Sequence, residues 1–184
     1  MNQEIFRKTK QFEILLLKFP EFRYIGDPIL RISTRPVEIS EGIVIGKELG
    51  DVLIRYRKLV GYGRGLAAPQ MGLSKSVFVM YVNDRIQMFI NPEIIDRSAG
   101  KNYYRELCLS CGMMWGDVKR SSKITMKWVD ETGVEKQEKA EGVIARLWQH
   151  EYDHLQGIVN LDRVKPGSIG FITSDPLLEK LRDV

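Results

Sequence analysis

Gln149-His150-Glu151-Tyr152-Asp153-His154-Leu155-Gln156-Gly157 decides how this chain folds, because two histidines four residues apart meet on one face only in a helix. They are the only two histidines present. On that face His150 and His154 can grip one metal ion, and Glu151 can carry a proton for a metal-activated water. Residues spaced this way can also be ordinary core histidines. The carboxylate between them favours the metal reading.

Around this stretch the pattern predicts a helix from Glu141 to Gln156, capped by Gly157. Val143, Leu147, His150 and His154 form its inward stripe. Upstream, 76–82 and 86–92 read as a hairpin turning at Asn83-Asp84. Residues 103–110 and 123–130 read as further strands, and 130–133 as a turn leading into a last extended piece. Two more helices are expected, at 3–18 and 41–61, the second burying Val44, Leu49, Val52, Leu53, Leu59 and Val60. Strands without regular βαβ alternation imply an α+β fold, antiparallel strands packed around a C-terminal metal-binding helix.

At 184 residues the chain is read as one domain, 1–184, with an N-terminal helical extension (1–22) and a variable tail (165–184) holding a short helix at 176–182. A net charge of +4 is spread over scattered lysines and arginines, which reads as a solvated surface rather than a nucleic-acid site. Two closely spaced cysteines do not make a disulfide scaffold, so a reducing, cytoplasmic setting is expected. No apolar run reaches the roughly 18 residues of a membrane span. Acidic Glu4 and Glu13 argue against a signal peptide.

A catalytic site of this kind takes three protein ligands and leaves one position open. Downstream of His154 the carboxylates are Asp162, Asp175, Glu179 and Asp183, and no third histidine completes another pattern. Cys108 is the better third ligand. On a strand, Glu106, Cys108 and Ser110 would share a face, and a thiolate suits iron as well as zinc. The plain alternative is a buried small side chain.

Three segments in order, Gly63-Arg64-Gly65-Leu66-Ala67-Ala68-Pro69-Gln70, Glu106-Leu107-Cys108-Leu109-Ser110 and Gln149 to Leu155, resemble the motifs GxGLAAPQ, EGCLS and QHExDHL of peptide deformylases. The likeness runs over about residues 24–163 and includes GDPILR (26–31) and Arg120. It implies a peptide-deformylase-like α+β fold and hydrolysis of N-formyl groups from new proteins. It also implies iron(II) held by Cys108, His150 and His154, a site where nickel, cobalt or zinc can substitute. Glu151 would be the proton carrier, and the Gln70 amide and the Leu109 backbone N–H the oxyanion donors. Gly63 and Gly65 would let an extended formylated peptide pair as an added strand, with Arg64 and Leu107 beside it.

Two positions depart from the pattern. Leu107 replaces a glycine and can narrow the substrate path. Arg64 replaces a small or branched apolar residue. Its plainer reading is a solvated guanidinium with its stem across the rim, the other a fork toward a substrate carboxylate. Together they raise a second reading, an amidase for unusual or short formylated substrates. A third is a non-catalytic metal-binding relative that docks on a partner such as the ribosome, and a metalloprotease is the weakest. Cys111 reads as a packing residue able to trap an oxidised Cys108. Glu106 and Arg120 read as a pair bracing the metal strand. Oligomeric state is left open.

Overall fold

The structure, a computed structural model, describes residues 2–171 and 182–183. Among the described residues three α-helices, α1 (Asn2–Lys18), α2 (Ile39–Val60) and α3 (Gly142–Leu155), accompany two antiparallel sheets. The larger sheet comprises β1 (Gly65–Ala67), β2 (Val77–Val82), β3 (Arg85–Arg97), β6 (Lys123–Val129) and β7 (Glu135–Glu141), in the order β1-β2-β3-β6-β7. The smaller comprises β4 (Lys101–Leu107), β5 (Met114–Ser121), β8 (Gly170–Phe171) and β9 (Arg182–Asp183), in the order β8-β5-β4-β9. This is the expected α+β arrangement.

Alternation along the strands separates the core into two layers. Val77 and Val79 of β2 face α2, together with Leu49 and Leu53 of that helix, while Phe78 and Met80 face α3, together with Trp148 and Leu155. Leu15 of α1 and Phe19 just beyond it join the α2 layer, so the N-terminal helix is docked. The β2–β3 hairpin turns on two residues, with Asn83 at φ 49° and Asp84 at φ 61°. Both torsions are positive, as a type I′ turn requires.

The structure corrects several expectations. In α2, Val44 and Leu59 are exposed. The helix rests on the sheet through Gly42, Gly46 and Gly50, a stripe four residues apart. A Cβ at Gly42 would lie 2.5 Å from Ile90 Cγ2, and one at Gly46 2.6 Å from Met88 Sδ. Backbone contact, not a leucine ridge, sets that spacing. In α3, Val143 is exposed, and the inward stripe begins one turn later. The strand at 103–110 ends at Leu107, where a 3-10 turn over Leu109–Cys111 takes Ser110 off the strand. Strands β1 and β5 lacked a clear pattern, β1 for its shortness and β5 for its glycine and charges. The helix expected at 176–182 falls outside the described residues over 176–181, and Arg182 lies in β9.

Candidate metal centre

The helix α3 presents His150 and His154 on one face, as the spacing requires, and β4 delivers Cys108 to them from the other sheet. One ligand atom from each of the three lies within 4.8 Å of the other two. Cys108 Sγ is 3.2 Å from His154 Nε2. A thiol and two imidazoles this close are donors that would hold one divalent cation. His150 Nδ1 lies 2.9 Å from Glu106 Oε2, which fixes the ring and leaves Nε2 as the ligand atom.

Burial sets the protonation of the site. It pushes the Cys108 thiol up and the His154 imidazole well below its ordinary range. Neutral His154 is ligand-ready, while the thiol would have to release its proton to bind a cation as thiolate. Burial would also lower His150, but the hydrogen bond and charge of Glu106 outweigh it and raise the group. Burial pushes the Glu151 carboxyl up to about 7. Its Oε2 is buried without a hydrogen-bond partner among the described residues. A carboxyl poised near neutrality beside three soft and borderline donors is what a metal-assisted proton transfer needs.

Gly65 has an intramolecular reason. A Cβ there would lie 2.2 Å from Glu151 Oε1, so only glycine lets the carboxyl rest against β1. Gly63 has φ +117°, and a Cβ would lie 2.9 Å from the Tyr56 ring. Gln70 is buried on the 3-10 turn after β1. Its Oε1 accepts from Ala67 N–H at 2.9 Å, and its Nε2 donates to Ser110 Oγ at 3.2 Å and toward Cys108 Sγ at 3.7 Å. The amide N–H edge is thereby held beside the candidate ligands. Leu109 opens the 3-10 turn after Cys108, where the first N–H groups have no partner within the turn.

Below the triad lies a buried ionic network that the sequence showed only in part. Arg120 of β5 forks onto Glu106 at 2.6 and 2.8 Å and reaches Asp153 at 2.7 Å. Arg146, one turn before His150, adds a bond of 2.6 Å to Glu106, and Arg163 holds Asp153 from the other side. Burial alone would raise Glu106, but Arg120 holds it far below the usual carboxylate range. The Glu106–Arg120 pair was legible from the motif. Arg146 and Asp153 had a signal as well, since both face His150 or its neighbours at helical spacing.

A cavity of about 160 Å³ opens above the triad, between β1, β4 and α3. Gly63, Arg64, Gly65, Gln70, Leu107 and Leu109 line it together with His150 and Glu151. The structure therefore brings the residues singled out from the sequence to one place. Leu107, at the end of β4, faces this cavity rather than a remote surface.

The chain matches the family model described as polypeptide deformylase over residues 20–168. It is 38% identical over 164 residues to the peptide deformylase of Pseudothermotoga lettingae, covering 88% of this chain and 92% of that relative. It is 41% identical to the one from Halothermothrix orenii, over 78% of this chain and 92% of the relative. The crystal structure of peptide deformylase from Thermotoga maritima superposes with a TM-score of 0.70 at 36% identity, covering 79% of this chain and 97% of that one.

Proposed function

The chain belongs to the polypeptide deformylase family, and we propose how its own residues carry out that family's reaction, hydrolytic removal of the formyl group from nascent peptides. The observation that carries the reading is the convergence of Cys108, His150 and His154 within 4.8 Å, beside a buried Glu151 with an unpaired oxygen. Cys108, His150 and His154 hold a divalent cation, for which we propose iron(II), nickel, cobalt and zinc being able to replace it. When bound, the cation supplies Lewis-acid activation of water and of the formyl oxygen.

Glu151 takes a proton from the attacking water and returns it to the leaving amine, a task suited to a carboxyl with pKa about 7. The Gln70 amide and the Leu109 N–H donate to the oxygen that gains charge in the tetrahedral intermediate. The substrate pairs with the free edge of β1. Arg64 C=O accepts from Tyr81 N–H, so by antiparallel alternation the N–H and C=O of Gly65 face away from β2 toward the cavity. Leu107 narrows the opposite wall. Among the described residues no helix is long and apolar enough to cross a membrane. A cytoplasmic location and a weak ribosome association remain part of the proposal, motivated by the substrate.

Anaerobically purified, iron-loaded protein should release formate from formyl-Met peptides, and Glu151→Ala should lose at least about a hundredfold in kcat while keeping its metal. Wild-type protein that holds metal yet releases no formate would refute the reading.

A further inference from the structure

The carboxylate of Glu106 on the cavity floor is compensated, and Arg105 on its wall is paired with Asp117, whereas three other cations near its mouth have no carboxylate partner among the described residues. Glu106 is held by Arg120 and Arg146. At the rim, Arg64 lines the cavity half-buried, and its guanidinium makes no hydrogen bond or ion pair within the described residues. Arg57 donates to Gly63 C=O and stacks on Tyr81 at 3.8 Å, with no carboxylate partner there. Asp84 is engaged by the Tyr81 hydroxyl instead, at 3.2 Å. Lys8 comes from α1, which precedes the matched residues 20–168, and its Nζ lies 5.6 Å from the centre of the Tyr62 ring. Tyr62 lines both the main cavity and a smaller one bounded by Lys8 and Phe12. Three half-buried cations thus surround the segment 62–64.

A peptide bound along β1 would place its formyl group at the metal and its first residue beside Gly65. At about 3.4 Å per residue, the second and third residues then run past Arg64 and Gly63 to Tyr62. Resting on the deformylase reading above, we propose that Lys8, Arg57 and Arg64 form a cationic rim that selects formylated peptides with Asp or Glu at the second or third residue. The recognition is rim electrostatics, so it acts on binding rather than on the chemical step and is weakened by salt.

The test uses the metal-loaded enzyme and three substrates, formyl-Met-Ala-Ala, formyl-Met-Glu-Glu and formyl-Met-Lys-Lys, with formate release as readout. At about 0.05 M salt the Glu peptide should exceed the Lys peptide by about tenfold in kcat/KM, the difference lying in KM, and about 0.5 M salt should erase it. Arg64→Glu should invert the order, and Lys8→Glu, on a separate element, should shrink it. Metal content and circular dichroism confirm that each variant is folded. Equal kcat/KM for the three peptides in the wild type overturns the selectivity while leaving the deformylase reading intact. No formate from any peptide overturns both. Equal peptides together with binding of a short RNA hairpin that Arg64→Glu abolishes assigns the rim to RNA and likewise overturns it.

Discussion

One helix, α3, separates two kinds of interior. On one face Trp148 meets Trp128 at 5.2 Å and Phe89 at 5.4 Å between ring centres, and Phe89 stacks on Phe78 at 4.4 Å. On the other, Arg146, His150 and Asp153 bind Glu106, Arg120 and Arg163 through bonds of 2.6 to 2.9 Å. The aromatic side draws its cohesion from area removed from water, which is strong and tolerant of detail. The ionic side is directional. It places Glu106 under His150 at the cost of burying two carboxylates and two guanidiniums, a cost that pairing offsets without large net gain. Stability resides mainly in the first and geometry in the second.

Two substitutions of similar expected cost put that division at risk. Arg120→Met removes the guanidinium that Glu106 and Asp153 share, leaving Glu106 to Arg146 and Asp153 to Arg163, and should cost about 3–5 kcal/mol of stability in denaturant titrations, with loss of bound metal. Trp148→Ala should cost about 3–5 kcal/mol as well, but activity per bound metal should stay within a few-fold of wild type. Equal loss of metal in both would break the distinction. A smaller effect sharpens it: Glu106→Gln should weaken metal binding by about 10- to 100-fold in chelator competition, through loss of the carboxylate behind His150.

The smallest effect concerns the apoprotein. The Glu151 carboxyl is raised from 4.5 to about 7 in the fold, so the folded state keeps a proton that the unfolded chain has released. Its contribution is fully present below pH about 4.5 and is lost as pH rises through about 7. Apo wild type should therefore lose on the order of 3 kcal/mol relative to Glu151→Gln across that window. Parallel pH–stability curves for the two proteins would contradict the burial of this charge.

Much of the site was readable before any fold was known. The helix around His150 and His154, the hairpin at Asn83-Asp84 and the Glu106–Arg120 pair follow from local spacing and from motifs. The misassigned helix faces have a packing cause. Val44 and Val143 are apolar and fall near the right period, yet solvent or the cavity lies beside them, and in α2 it is Gly42, Gly46 and Gly50 that carry the helix contact instead. Periodicity counts side chains, whereas packing also uses their absence.

The sequence alone determined that two imidazoles and a carboxylate share a helix surface, because helical geometry is set by bonds within a few residues of each other. Only the tertiary structure decided that Cys108 meets them, that Gly65 makes room for Glu151, and that Arg146 and Asp153 belong to one network with Arg120. Those contacts join two sheets and a helix, and their distances depend on how the whole interior packs rather than on any local torsion.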